Sequence, residues 1–356
     1  MCLLRFIDRG SGPMGKMTEQ NQRSIVVTGG ETYIGYNLAL RYLEEIEQNR
    51  SPKNTKVVVL ATHKEGLDKL TRRGAEVHVV RYEEPENIRQ HLRQVELVCL
   101  TLNNREQRCQ DACNVIEAAN QERAQAIQFF SHIGSDKAND NCRSLLDYQR
   151  VEETLQNKYQ SGKWVILRLN FIQQLFYLWS PMIEDHGKLR MNANEDSKFA
   201  PVNMVDVLEA TVNVACGNSN MNEYSVCDQY NQKTLQLTGG QSISAKEMAS
   251  ELSRALDGRQ IFFESISTQE MRQYLEEIRR NDRMQPDSQS KHDKEHLIPN
   301  ARYLTETVIR CITGYLELAR ENQVGQTTSD IRKVNGNDPI SLKNFFKDNR
   351  DQFRGH

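Results

Sequence analysis

Ser24-Ile25-Val26-Val27-Thr28-Gly29-Gly30-Glu31-Thr32-Tyr33-Ile34-Gly35 is the stretch that decides the fold. A short β-branched run leads straight into a glycine turn, and a helix opens behind it. Ile34, Leu38, Tyr42 and Ile46 recur at the spacing of one buried helical face. This is how a nucleotide-binding α/β domain begins. The dinucleotide fingerprint uses its first glycine for the tight turn and its last for helix–strand packing, while the middle one lets the backbone approach a pyrophosphate. Gly29 and Gly35 fill the outer places, but Thr32 stands in the middle one. Glu31 adds a carboxylate at the helix start, where an anion would dock.

Outward from this unit, strand-like and helix-like segments alternate. Lys56–Leu60, Ala75–Val80, Val95–Leu100, Ile127–Ser131 and Trp164–Leu169 read as strands, and residues 86–94, 105–122 and 144–158 as helices. Repeated βα order predicts an α/β fold, a Rossmann-like doubly wound parallel sheet with helices on both faces. The second half predicts a helix over 204–216, a strand at Lys233–Thr238, a helix over Ser244–Leu256 with Gly258 beyond it, and a helical pattern over 301–321. Ser341 suits the N-cap of a terminal helix. The expected organisation is a disordered extension over 1–22 and a Rossmann-like domain over 23–240, with 171–199 contributing to a second lobe. A smaller C-terminal α/β lobe follows over 241–350, with the polar tract 280–298 as a mobile insertion. Met17 offers an alternative start.

The bulk composition excludes several classes. Lys and Arg (46) nearly balance Asp and Glu (48), so there is no general attraction to nucleic acid. No apolar run reaches membrane-spanning length, so no membrane partner is expected. Eight cysteines occur without a C-x-x-C pair, and Cys99, Cys216 and Cys311 lie in apolar segments. Such thiols suit a reducing compartment, which points to the cytoplasm with the nucleus also open.

The order of segments resembles the NmrA-like group of atypical short-chain dehydrogenase/reductases across nearly all of residues 23–350. Four segments carry the resemblance: the glycine turn at 28–35; Val165–Phe171 followed by Phe199–Val207; Leu235–Gly240 leading into Ser244–Leu256; and Ser329–Ile331 through Pro339–Leu342. The resemblance implies an NAD(P)-binding protein. It places Thr28, Gly29, Gly30, Thr32, Tyr33, Ile34 and Gly35 at the cofactor, with Thr62, His63, Lys64, Asn103 and Ser131 as further contacts. Reductases of the family look to a tyrosine and a lysine four residues later on the helix after the fifth strand, where the lysine lowers the phenol's pKa. Here Tyr148 is followed at that distance by Glu152; in the other alignment Ser144 and Tyr148 fill the two places. Either way the acid–base pair is broken. After the second strand, an acid would hold the ribose hydroxyls of NAD and a base the 2′-phosphate of NADP. The turn Ala61-Thr62-His63-Lys64 contains no acid, which favours NADP(H) over NAD(H).

Other constellations bear on chemistry. His132 follows the fifth strand, where open α/β sheets bind ligands, and is either a substitute proton donor or a locally bonded histidine. Phe171, Phe176, Tyr177 and Trp179 are either a pocket wall or core. His292-Asp293-Lys294-Glu295-His296 has the H-x-x-E-H order, but in a charged tract with no apolar face, so no metal is expected. Three functions remain: a dinucleotide-responsive regulator with a protein partner, an NADPH-dependent reductase of a small carbonyl or quinone, and an interaction scaffold that binds no cofactor.

Overall fold

A computed structural model describes residues 23–52, 54–216, 224–285, 299 and 301–354. The expected N-terminal extension, the H-x-x-E-H run and most of the polar tract lie outside the described residues. Seven strands form one parallel sheet: β1 (Arg23–Thr28), β2 (Thr55–Ala61), β3 (Glu76–Val79), β4 (Leu97–Leu100), β5 (Ala126–His132), β6 (Lys163–Leu169) and β7 (Lys233–Leu237), in the order β3-β2-β1-β4-β5-β6-β7. Val26 pairs with Val58 of β2 on one side and Val98 of β4 on the other. The order reverses between β1 and β4, so a crevice opens there at the carboxyl ends of the strands.

Side-chain alternation decides which helices cover which face. Ile25, Val27, Val57 and Val59 point to the face covered by α1 (Tyr33–Glu47) and α4 (Met204–Cys216), against Leu38, Tyr42 and Val207. Val26, Val58, Val98 and Leu100 point to the other face, against Val115 and Ile116 of α2 (Arg108–Gln121) and Val151 and Leu155 of α3 (Arg143–Lys158). Both faces are dry, which is why the strands read as near-continuous apolar runs. Gly35 sits where α1 crosses β1, and a Cβ there would lie 2.2 Å from the Gly29 carbonyl oxygen.

The second lobe has its own core. Phe176 and Trp179 are fully buried in it, and Phe171 and Tyr177 nearly so, so the core reading of that aromatic run holds; Phe171 also walls the cleft described below. Short strand pairs, Lys198–Phe199 with Ile243–Ser244 and Lys188–Met191 with Phe262–Ser265, frame the lobe. Helices Ala245–Ala255, Thr268–Arg279, Leu342–Asp348 and α5 (Glu306–Arg320) fill it. Ser341 accepts from the Asn344 amide, as expected of an N-cap. Two boundaries differ from expectation. The helix expected over 86–94 is confined to Pro85–Arg89, and Gln94 breaks away at φ 53. The pattern from 301 becomes α-helical only at Glu306, because Thr305 caps the helix there.

Candidate functional site

The carboxyl ends of β1, β4, β5 and β6 meet α3, α5 and the segment before α5 around one cleft. Thr32, Tyr33, Ile34, Asn103, Ser131, His132 and Tyr148 all line it, so seven of the residues expected at the site converge. Thr28, Gly29, Gly30 and Gly35 lie beneath it. Thr28 Oγ1 donates to the Thr101 carbonyl (3.0 Å) and accepts from its amide (2.9 Å), which ties β1 to the end of β4. The Gly29 amide donates to Tyr82 Oη (3.2 Å) and the Gly30 amide to the Leu60 carbonyl (3.1 Å). Thr32 acts as the N-cap of α1: its hydroxyl accepts from the Gly35 amide (3.1 Å) and donates to the Gly29 carbonyl (2.7 Å).

Glu31 does not sit in the cleft, and its expected position at an anion dock is corrected. Burial raises its pKa, and a buried acid needs donors. It finds them on Thr62, whose amide donates to Oε2 (3.3 Å) and whose hydroxyl donates to Oε1 (3.0 Å). The structure therefore brings an acid to the end of β2, where sequence reading expected none. Thr62 is occupied by this contact, while His63 and Lys64 are exposed on the turn beyond it and do not line the cleft.

The carboxylate on the same helix as Tyr148, Glu152, is held in a buried ion pair. Glu152 is buried on α3 and takes Arg168 Nε (2.9 Å) and Nη2 (2.6 Å) from β6. Ser131 and Ser135 donate their hydroxyls to the same carboxylate at 2.5 and 3.2 Å, and Arg168 also pairs with Asp136 at 2.8 Å. Ser144 is turned away and donates to the Arg310 carbonyl of α5 (3.0 Å). Asn103 reaches the cleft wall, but its amide nitrogen donates to Asp111 (2.8 Å) and its oxygen accepts from the Arg105 amide (3.0 Å).

Two candidate proton donors remain, Tyr148 and His132. Burial pushes the Tyr148 phenol well above the usual tyrosine range, although the guanidinium of Arg108 stands 5.3 Å from its ring centroid. His132 Nδ1 lies 2.7 Å from the Ile133 carbonyl, which can only accept, so Nδ1 carries the proton and Nε2 is a bare acceptor. Burial, reinforced by the charge of Arg108 and opposed by the Ile133 bond, pushes the His132 pKa down to about 4. At neutral pH this imidazole has no proton to give to the cleft.

Sequence reading missed Arg108, Tyr315 and Tyr303, which also line the cleft. Arg108 is buried and holds Asp147 at 2.9 Å, the Ser144 carbonyl at 2.5 Å and Cys311 Sγ at 3.3 Å. Nothing local marks it out; its role follows from the approach of α5.

A family model described as NAD(P)H-binding matches residues 39–174, beginning just after the irregular glycine loop. Solved structures share the whole architecture at low identity. The triphenylmethane reductase of Citrobacter sp., complexed with NADP(H), is 16% identical with TM-score 0.68, over 91% of this chain and 99% of its own. NmrA, a negative transcriptional regulator in complex with NADP, is 11% identical with TM-score 0.61, over 93% of this chain and 96% of its own. This chain has the fold of the NmrA-like atypical short-chain dehydrogenase/reductases. A nucleoside-diphosphate-sugar epimerase of Staphylococcus aureus is similar too, at 14% identity and TM-score 0.67 over 91% of this chain and 99% of its own. No curated protein sequence matches. The residues present fit a dinucleotide in placement: the start of α1 and the ends of β4 and β5 face one cleft, and the Glu31 carboxylate is turned out of it. The Thr32 side chain is the feature that resists. Among the described residues no group of three His, Cys, Asp or Glu could hold a metal, and no helix is long and apolar enough to cross a membrane.

Two predictions come from this geometry. Replacing Arg168 by Met leaves the buried Glu152 without its cation, which should lower stability by about 3–5 kcal/mol in urea titration; adding Glu152→Gln should restore most of it. In an NMR titration His132 should stay neutral from pH 8 down to pH 5.5. Because its folded pKa is below the unfolded value, its contribution to stability is retained above that unfolded value and falls as pH drops toward about 4. A His132 midpoint near the ordinary histidine value would contradict the assigned tautomer and burial.

Proposed function

We propose that this protein is a dinucleotide-responsive regulator that binds NADP(H) in preference to NAD(H) and performs hydride transfer weakly or not at all. One observation carries the reading: in neither alignment does a lysine stand four residues beyond the tyrosine's place, and the carboxylate on that helix, Glu152, is neutralised by Arg168 and boxed by two serines. A tyrosine beside a lysine is a poised acid; Tyr148 has Arg108 over its ring and no lysine partner. The bound dinucleotide would supply a charged ligand bridging the two lobes, and the output would be a changed surface for a protein partner in the cytoplasm or nucleus. The names of the structural neighbours support both halves of this reading, since they include NADP(H)-bound enzymes and a transcriptional regulator bound to NADP.

A second reading has its own support. Gly29 through Tyr33 are buried, with several of their amides already bonded within the protein, as a scaffold that takes no cofactor would have them. Calorimetric titration with NADP+, NADPH, NAD+ and NADH, with melting temperature read alongside, separates the two. The regulator should bind in the micromolar range and melt later with ligand. NADPH should not be consumed in the presence of small carbonyls or quinones, and His132→Ala should leave that unchanged. Absence of binding by all four would leave the scaffold; turnover lost in His132→Ala would establish the reductase.

A further inference from the structure

The turn after β2 carries a cation that sequence order hides. Arg302 comes from the segment just before α5, far along the chain, yet Nη1 donates to the Gly66 carbonyl at 3.2 Å. Its guanidinium carbon lies 4.9 Å from the ring centroid of Tyr36 on α1 and 4.5 Å from that of Tyr303, whose hydroxyl it also bonds. Tyr303 in turn meets Tyr33 edge-on at 5.4 Å, so this segment is seated on the first turn of α1. Gly66, at φ +74, takes a backbone conformation that favours glycine and leaves its carbonyl open to Arg302. The contact is thus built from both sides.

What the guanidinium lacks is an anion. Arg302 is exposed and forms no ion pair among the described residues; neither do His63 and Lys64 on the same turn. Glu31, the acid at the end of β2, is buried and already takes both donors of Thr62, and the exposed Glu65 beside Gly66 forms no ion pair with Arg302 among the described residues. A planar, always-charged fork held rigid between two rings, with donors to spare, matches a phosphate monoester. Its place beyond the carboxyl end of β2 is where this class of sheet receives the adenosine ribose.

We propose that Arg302, with His63 and Lys64, forms the subsite for the 2′-phosphate of an adenine dinucleotide, and so sets the preference for NADP(H). This rests on the reading of the cleft as a dinucleotide site. Arg302 is also the group through which that phosphate would be felt by α5 and the second lobe, since Thr307 of α5 already donates to the Asn104 carbonyl at 3.2 Å.

Titration of NADP+ and NAD+ against the wild-type chain, Arg302→Ala and Arg302→Lys tests it, with 2′-AMP and 5′-AMP as probes of the phosphate alone. Arg302→Ala should weaken NADP+ and 2′-AMP by about 10- to 100-fold while changing NAD+ and 5′-AMP by less than about threefold. Arg302→Lys should fall between. Equal weakening of NADP+ and NAD+ would overturn the subsite while leaving the dinucleotide reading intact. A wild-type preference for NAD+ that Glu31→Gln removes would also overturn it, by assigning the ribose to Glu31. Failure of the wild-type chain to bind any dinucleotide would overturn both. Unliganded melting temperatures of the variants, read alongside, separate loss of binding from loss of the contacts that Arg302 makes with Gly66, Tyr36 and Tyr303.

Discussion

Glu152 is a buried carboxylate at the meeting point of β5, β6 and α3, and an unpaired charge there would cost several kcal/mol. Arg168 must therefore point inward, and the hydroxyls of Ser131 and Ser135 must turn to the same oxygen. Those four groups pin the carboxyl end of β5 to α3. The orientation of α3 then places Tyr148 against His132, with ring centroids 5.9 Å apart, and under Arg108. Here Glu152 and Arg168 satisfy each other, and the pull of Arg108 on the Tyr148 phenol is outweighed by burial.

The same region binds the two lobes together. Arg108 reaches Cys311 on α5, Tyr315 donates its hydroxyl to Asn170 at 2.6 Å, and Tyr303 covers the start of α1. Asn170 also donates to the Val324 carbonyl beyond α5 at 3.1 Å. A ligand entering the cleft would press on α5 from the side that carries these bonds. That is a physical route from occupancy to surface, and it needs no proton transfer. It accounts for a fold that has kept a cleft while losing its acid–base pair.

Much of the sheet was legible because strands buried on both faces are written as apolar, β-branched runs such as Lys56–Leu60 and Trp164–Leu169. The helix Thr268–Arg279 was missed, although Ser267 and Glu270 form a capping box that announces it. The site was legible in part. Residues at or just beyond the ends of β4 and β5, such as Asn103 and His132, could be placed from strand order alone. Glu31 could not: whether a buried acid faces the cleft or Thr62 depends on a side-chain torsion and on the end of a neighbouring strand. Arg302 and Tyr303 were out of reach for another reason. They meet Gly66 and Tyr33 across more than two hundred residues, and no local pattern encodes that contact.

The measurement that bears most directly on the central claim is simultaneous fluorescence and absorbance of NADPH mixed with the protein and a panel of quinones and carbonyls. Fluorescence reports a nicotinamide held in the cleft; absorbance reports whether its hydride leaves. The predicted result is enhanced fluorescence with absorbance constant at the rate of the protein-free control. Fluorescence enhancement accompanied by rapid, protein-dependent loss of absorbance would contradict it, and would show that the cleft finds a proton without a tyrosine–lysine pair.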